Sequence, residues 1–173
     1  MKNLRSIFFI LMLLGIDISS CQKPIDFVHG SGPGNGSSGS TAKTGVSFIK
    51  AKINGTLLEC SGTSGALAVI MQNTANGTVM QISGFKGNQG FTLLLNNYKG
   101  AGTFDLGNLD IGAYISDFTS LDGVYNSTSG KVVISYADDK TVRGTFTFVG
   151  ENVPGQQKTI TEGSFDIAIS AKI

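Results

Sequence analysis

The sequence predicts an all-β protein: an antiparallel β-sandwich or flattened β-barrel of about ten strands, with little or no helix. Two observations carry this prediction. Apolar residues recur at every second position through much of the chain, and turn-forming dipeptides recur about every eight to twelve residues. A third observation agrees with them, because no window of about twelve residues carries apolar side chains at helical spacing.

The clearest alternation lies in the last third of the chain. The segments "GKVVISYA", "TVRGTFTFV" and "GSFDIAISAKI" each place apolar residues on one face and polar residues on the other. This pattern is typical of antiparallel strands with one buried and one solvated face. The residues predicted to face the core are Val132, Ile134 and Tyr136, then Val142, Gly144, Phe146 and Phe148, and finally Phe165, Ile167, Ile169 and Ala171.

Earlier in the domain, "ALAVIMQ" at 66–72 and "FTLLLNN" at 91–97 are almost continuously apolar, which predicts strands covered on both faces. Turn signals separate the strands, and Asn-Gly between apolar runs is the strongest of them. The predicted turns are Asn54-Gly55, Asn76-Gly77, Gly87-Asn88, Lys99-Gly100, Asp122-Gly123, Ser129-Gly130, Asp138-Asp139 and Pro154-Gly155.

The amino terminus has the features of a bacterial lipoprotein signal. Lys2 and Arg5 precede the apolar run "IFFILMLLGI", which is shorter than the roughly 20 residues needed to span a bilayer. The "ISSC" that ends this region resembles a lipobox, in which a cysteine thiol takes a diacylglycerol before signal peptidase II cuts in front of it. We therefore predict a signal peptide over 1–20 and lipidation of Cys21; the alternative is an ordinary signal peptide with a chance cysteine.

Acyl chains on Cys21 would tie the protein to a membrane. Gln22 favours the outer membrane, because an Asp at that position is the common Gram-negative signal for retention in the inner membrane. The sequence leaves open whether the protein faces the periplasm or the cell surface.

Residues 21–45 are predicted to form a Gly/Ser-rich flexible tether, and 46–173 a single all-β domain. Charged residues make up only 14% of the chain, and within 46–173 basic and acidic residues are almost equal in number. Because this domain offers no basic stripe for phosphates, we predict no nucleic-acid partner.

Few catalytic groups are available. His29, the single histidine, lies in the predicted tether, so histidine-activated nucleophiles and histidine metal sites are not expected in the domain. Cys60 is predicted to be a small buried apolar residue without a disulfide partner. Asp138-Asp139 is predicted to be a turn, and Asp105, Asn108 and Asp110 form a weak candidate for oxygen ligands to calcium.

Four tyrosines offer another kind of site. They are Tyr98, Tyr114, Tyr125 and Tyr136, and aromatic rings of this kind can stack on a sugar. The preferred interpretation is that each ring is buried at a sheet edge with its hydroxyl in water.

Several motifs occur in the order seen in a known group of proteins. They are "FIKAKING" at 48–55, "GTFDLG" at 102–107, "AYISD" at 113–117, "GKVVISYADDKTVRGTFTFVG" at 130–150 and "TITEGSFDIAI" at 159–169. With the lipobox and tether, the chain resembles a family of small Gram-negative envelope lipoproteins with one all-β domain of unknown function. The resemblance implies the fold and the envelope location, and it implies no activity and no functional residues.

The sequence therefore predicts a lipid-anchored envelope protein, outer-membrane in location, that is not an enzyme and has no catalytic residue, metal or cofactor. Its role would be binding, adhesion or scaffolding, with a glycan, a protein or a small apolar molecule as possible partner. Two alternatives stay open at this point. One is a lipocalin-like carrier of a small apolar ligand, and the other is a hydrolase that uses carboxylates alone.

Overall fold

The computed structural model describes residues 46–62 and 66–173, and the fold is all-β as predicted. The described residues form eleven strands and one turn of 3₁₀ helix at Leu121–Gly123. The strands are β1 Phe48–Ile53, β2 Thr56–Ser61, β3 Ala66–Thr74, β4 Gly77–Lys86, β5 Gln89–Leu95, β6 Gly102–Leu106, β7 Ile111–Ile115, β8 Val124–Ala137, β9 Thr141–Glu151, β10 Gln157–Ala168 and β11 Ala171–Lys172.

The strands belong to one curled sheet with the order β11-β3-β4-β5-β7-β8-β9-β10-β1-β2. β8 is long enough to pair with two strands on one side, β7 along its first half and β6 along its second. All pairs are antiparallel except the pair of β11 with β3. That parallel pair departs from the antiparallel sheet expected from the sequence.

The parallel pair arises because the chain changes neighbours near its end. β10 pairs with β1 and β9 up to Ala168, after which the Ser170 N–H donates to the Val69 carbonyl at 2.8 Å. The Ile173 N–H likewise donates to Met71, also at 2.8 Å. The last residues therefore pass from the end of β10 to β3 and cover the outer edge of that strand.

The β1–β2 hairpin packs over β4. At Gly84 a side chain would lie 2.2 Å from Ile49 and 3.5 Å from Cys60, so that the absence of a side chain lets the two layers approach. Large apolar side chains fill the interior of the curled sheet, and they include Phe91, Phe146 and Phe165. The ring centroids of Phe91 and Phe146 are 5.5 Å apart in an edge-on arrangement that aromatic pairs favour.

The predicted alternation is confirmed for most of the residues assigned to the core. Val132, Ile134, Val142, Phe146, Phe148, Phe165 and Ile167 are buried, and Gly144 lies among them. β5 is buried along most of its length, as its apolar run indicates, whereas β3 is only partly buried.

Tyr136 and Ala171 depart from the predicted faces. The pairing of β8 with β9 shifts between Ile134 and Tyr136, so that a bulge turns the Tyr136 ring outward, where it is 44% exposed. Ala171 is exposed because the chain has left β10 for β3, and Ile169 is only partly buried at that change.

Most predicted turns lie between strands. Asn54 and Gly55 have φ angles of 47° and 86°, which match a tight hairpin with two left-handed residues. Ser129-Gly130 is wrong as a turn, because it lies inside β8 at a second bulge. Gly130 has a φ of 138°, and a side chain there would lie 2.2 Å from the Thr147 carbonyl oxygen. Glycine is therefore required at position 130 because β9 lies too close to leave room for a side chain.

The predicted signal peptide, the lipidated Cys21 and the whole of the predicted tether at 21–45 lie outside the described residues. The described part of the chain contains no helix with the length and hydropathy of a membrane span.

Candidate functional site

Four connections meet at one end of the domain. The antiparallel register places the turn at 54–55, the turn at 87–88, the loop 116–123 and the loop 152–156 together. We call this the pocket end. The polypeptide enters β1 at the opposite end, which we call the entry end, and there the Ala168 N–H donates to Ser47 Oγ at 3.4 Å.

A pocket of about 240 Å³ opens at the pocket end. It lies where the β1–β2 hairpin faces the start of β5 and the end of β7. Apolar side chains supply half of its lining and polar groups the remainder, from Ile53, Thr56, Leu57, Leu58, Gln89 and Tyr114. Such a mixture suits a ligand with an apolar body and a few hydrogen-bonding groups.

Tyr114 joins the pocket to the core, because it lines the pocket and is itself buried. Its ring stacks on Tyr125 at 5.8 Å and contacts Phe91 at the same centroid distance. Burial, with a smaller contribution from Tyr125, raises the pKa of the Tyr114 hydroxyl. The phenol is therefore neutral at physiological pH and can both donate and accept a hydrogen bond.

The pocket end exposes four large apolar side chains. Leu57, Phe118, Leu121 and Val153 are 59%, 45%, 65% and 70% exposed. The Phe118 ring also leans on Phe85, with 4.8 Å between centroids. Val46, Leu109, Tyr136 and Ile173 are also exposed, and they lie toward the entry end, so that the pocket and not apolar exposure alone distinguishes the pocket end.

Asn152 fixes two of these loops against each other. Its side chain is buried, donates to the Asp122 carbonyl at 2.8 Å and accepts from the Gln156 N–H at 2.8 Å. In the loop 116–123, Asp117 accepts from the backbone and hydroxyl of Thr119, and these bonds lower the pKa of its carboxyl. Internal hydrogen bonds thus hold both of these loops of the pocket end in place.

Cys60 is not part of an exposed site. It is fully buried, and burial raises the pKa of its thiol to about 11, against a smaller lowering effect of Lys86. The thiol form therefore predominates at neutral pH, as expected for a structural cysteine. The interpretation as a small buried residue is confirmed.

The Asp138-Asp139 turn is confirmed as well. Asp138 Oδ1 accepts from the backbone N–H groups of Lys140 and Thr141, at 2.7 Å each, and Oδ2 accepts from the Tyr136 hydroxyl at 2.7 Å. These bonds, with the tyrosine largest, lower the pKa of the Asp138 carboxyl. Asp139 instead forms an ion pair of 2.6 Å with Lys172.

The weak calcium candidate has a structural role. Asp110 Oδ1 accepts from the Asn96 N–H at 2.7 Å, which ties the loop after β5 to the start of β7. Burial is the main cause that raises the pKa of this carboxyl. Among the described residues, no group of three or more histidine, cysteine or carboxylate side chains could hold a metal ion.

The tyrosines do not form one platform. Tyr98, Tyr114 and Tyr125 are buried, with Tyr98 stacked on Phe104 and the other two on each other. Tyr136 is half exposed on the outer face of β8, beneath the Arg143 guanidinium at 5.1 Å. The prediction of buried rings holds for three of them, although Tyr114 and Tyr125 lie in central strands and not at a sheet edge.

Comparison with known proteins gives one match. A model of the domain of unknown function DUF6252 matches residues 48–167. The chain belongs to the DUF6252 family. The match begins with the first residue of β1 and ends within β10, so that it includes every residue that lines the pocket. No curated protein and no solved structure shows significant similarity to the chain.

Sequence reasoning missed the pocket of this DUF6252 domain. Its lining comes from three separate segments, and Tyr114 is the only lining residue that the sequence offers as a binding candidate. Two features of the sequence do point to this region. The Asn54-Gly55 turn directly precedes Thr56, and the Gly87-Asn88 turn directly precedes Gln89. Which turns share one end depends on strand order, and local patterns do not contain that information.

Proposed function

We propose that this protein is a non-enzymatic binding module of the Gram-negative cell envelope, held by a lipid on Cys21 and binding its partner at the pocket end. One observation carries the proposal: the pocket, with the exposed Leu57 in its lining, lies at the end of the domain opposite to the entry of the chain. A tether attached at Val46 would therefore leave the pocket end unobstructed.

The lining of the pocket favours binding over catalysis. No carboxylate, cysteine or histidine is among the six residues that line it. A hydrolase that uses carboxylates alone needs two of them across one cleft, and the ion-paired Asp139 and Asp166 instead lie on strand or turn surfaces. The packed aromatic interior likewise favours a surface binding module over a carrier that encloses its ligand.

Site-specific photocrosslinking tests this proposal in cells. A benzophenone side chain is placed at Leu57 or Leu121 in the pocket end, and at Leu109 or Asp139 as matched exposed controls elsewhere. We expect discrete crosslinked products from the first two positions alone. Equal crosslinking at all four positions, or none at Leu57 and Leu121, would contradict binding at the pocket end.

The anchor has its own test. The Cys21→Ser variant should move from the detergent phase to the aqueous phase, because a thioether-linked lipid requires the thiol. Its domain should keep the thermal unfolding midpoint of the parent. Membrane partition that survives this substitution would refute the lipid anchor.

A further inference from the structure

β2 has a strand on one side only among the described residues, where it pairs with β1. The Gly62 N–H donates to the Ser47 carbonyl at 2.9 Å, and hydrogen-bonded pairs then alternate along the hairpin. Leu57 and Glu59 fall at the non-bonded positions, opposite Lys52 and Lys50. Their backbone N–H and C=O groups consequently point away from β1, along the outer edge of β2.

Within the described residues, Glu59 is the one charged side chain on this edge, which otherwise lacks the devices that block strand pairing. β2 has the sequence "TLLECS", with no lysine and no proline, and its register with β1 runs without a bulge. The edge of β3 differs, because Ala171 and Lys172 lie along it. The fold thus covers the edge of β3 with β11, while β2 at the other side of the sheet presents the exposed Leu57.

The pocket begins at the same edge. Three of its lining residues, Thr56, Leu57 and Leu58, are consecutive in β2. Side chains of paired residues lie on the same face of a sheet. A residue added opposite Leu58 would therefore point with it to the inner side, toward Ile53 and Tyr114.

The volume of the pocket and the charge of Glu59 restrict which residues an added strand can carry opposite Leu58 and Glu59. The pocket volume of about 240 Å³ is below the range of roughly 300–1,000 Å³ typical of small-molecule sites, but it accepts one aliphatic side chain. Glu59 is exposed on the outer face, and an opposite charge directly across a strand pair is favourable. A basic residue is therefore preferred opposite Glu59.

From these contacts we infer that the outer edge of β2 binds an extended segment of a partner protein as an added strand, with a basic residue opposite Glu59 and an apolar side chain in the pocket. The outward N–H and C=O groups of Leu57 and Glu59 repeat at the spacing of a strand, and only another extended backbone can pair with them at that spacing. The occupant is therefore a polypeptide. The inference rests on the proposed function and names the class of partner.

A synthetic peptide tests the strand pairing. The probe is fluorescein-labelled Thr-Val-Lys-Leu-Val-Thr, in which antiparallel pairing sets lysine opposite Glu59 and leucine opposite Leu58. Binding to the full chain in detergent micelles is followed by fluorescence anisotropy. N-methylation of the lysine and second valine blocks the amides that face β2 and should weaken binding about tenfold or more. N-methylation of the first valine and the leucine, whose amides face away, is the matched control and should have little effect.

Two substitutions locate the binding on the protein. Leu57→Pro removes an outward N–H without removing a bond to β1, and it should abolish peptide binding while the unfolding midpoint stays close to that of the parent. Glu59→Lys should reverse the preference between the lysine peptide and its glutamate counterpart by about two- to fivefold. Asp105→Lys, at an exposed acid of β6, should leave the preference unchanged.

The outcomes separate the two proposals. Failure of the probe to bind, or equal loss with both methylated peptides, would overturn strand addition, while crosslinks at Leu57 and Leu121 would still support binding at the pocket end. A concentration-dependent dimer that Leu57→Pro dissociates would assign the edge to a second copy of the chain, and would also overturn the inference.

Discussion

Phe165 and Asp166 are neighbours in β10 but face opposite sides of the sheet. The Phe165 side chain is 2% exposed and packs beside Phe146, with 6.3 Å between ring centroids. Asp166 lies on the outer face and pairs with Arg143 Nε at 2.8 Å. A buried ring contributes several times more to stability than a surface ion pair, so the two positions should respond very differently to substitution.

Phe165→Ala should lower the free energy of unfolding by about 3–5 kcal/mol, because it removes a buried ring and leaves a cavity. Asp166→Asn should cost less than about 1 kcal/mol, since it weakens only an exposed ion pair. Urea unfolding followed by circular dichroism measures both. Equal and small losses would contradict the burial pattern of β10.

The thiol of Cys60 offers a second test at the same scale. A pKa of about 11 and full burial leave little thiolate near neutral pH, and the thiolate is the reactive form. In the Cys21→Ser chain, Cys60 should therefore resist iodoacetamide at pH 8 until denaturant unfolds the domain. Complete labelling within minutes of the folded chain would show that β2 opens from β4.

Among the strands, β10 and β11 have the most unusual role. β10 ends against β1 and β9, and the residues after it cover the edge of β3. The bonds there are few, but they include two of 2.8 Å, from Ser170 to Val69 and from Ile173 to Met71. The exposed edge would otherwise present the apolar sequence "VIM" to other chains, a recognised cause of aggregation.

Removal of residues 169–173 should consequently promote self-association. The truncated chain retains β10 but uncovers Val69, Ile70 and Met71, and we expect larger species in analytical ultracentrifugation. Lys172→Ala is the control, because it removes only the exposed ion pair with Asp139. A truncated chain that stays as monodisperse as the parent would show that these residues do not protect the edge.

Features set by local sequence could be predicted, whereas features set by contacts between distant strands could not. Alternation indicated the buried faces of β9 and β10, because the side-chain period of a strand is a local property. The bulge that turns Tyr136 outward depends on how β8 meets β9, and Gly130 appeared to be a turn because its partner strand was unknown. The pocket was not predicted for the same reason, since Gln89 and Thr56 become neighbours only after the sheet curls.

For the molecule as a whole, apolar packing is the main source of stability that the structure provides. Cys60 is free, and the described residues contain no cluster suited to a metal ion. Buried aromatic rings contribute apolar area in place of a disulfide or a metal. One of them is Tyr98, and its burial raises the pKa of its hydroxyl.

Thermal unfolding of the full chain should therefore be unaffected by chelator or by reductant. Differential scanning fluorimetry with and without EDTA, and with and without dithiothreitol, measures the midpoint. A decrease of several degrees with EDTA would indicate that Asp105 and Asp110 take part in an oxygen-ligand site after all.

The contact between Ser47 and Ala168 has a consequence for how such a domain can be built into other proteins. The chain enters and leaves at the same end, so a short linker could join the two without crossing the pocket end. A circular permutant opened at the Asn54-Gly55 turn would then retain every strand but separate β1 from β2. The same geometry would let the domain be inserted in a surface loop of a host protein, or be repeated along one chain, with each pocket facing outward.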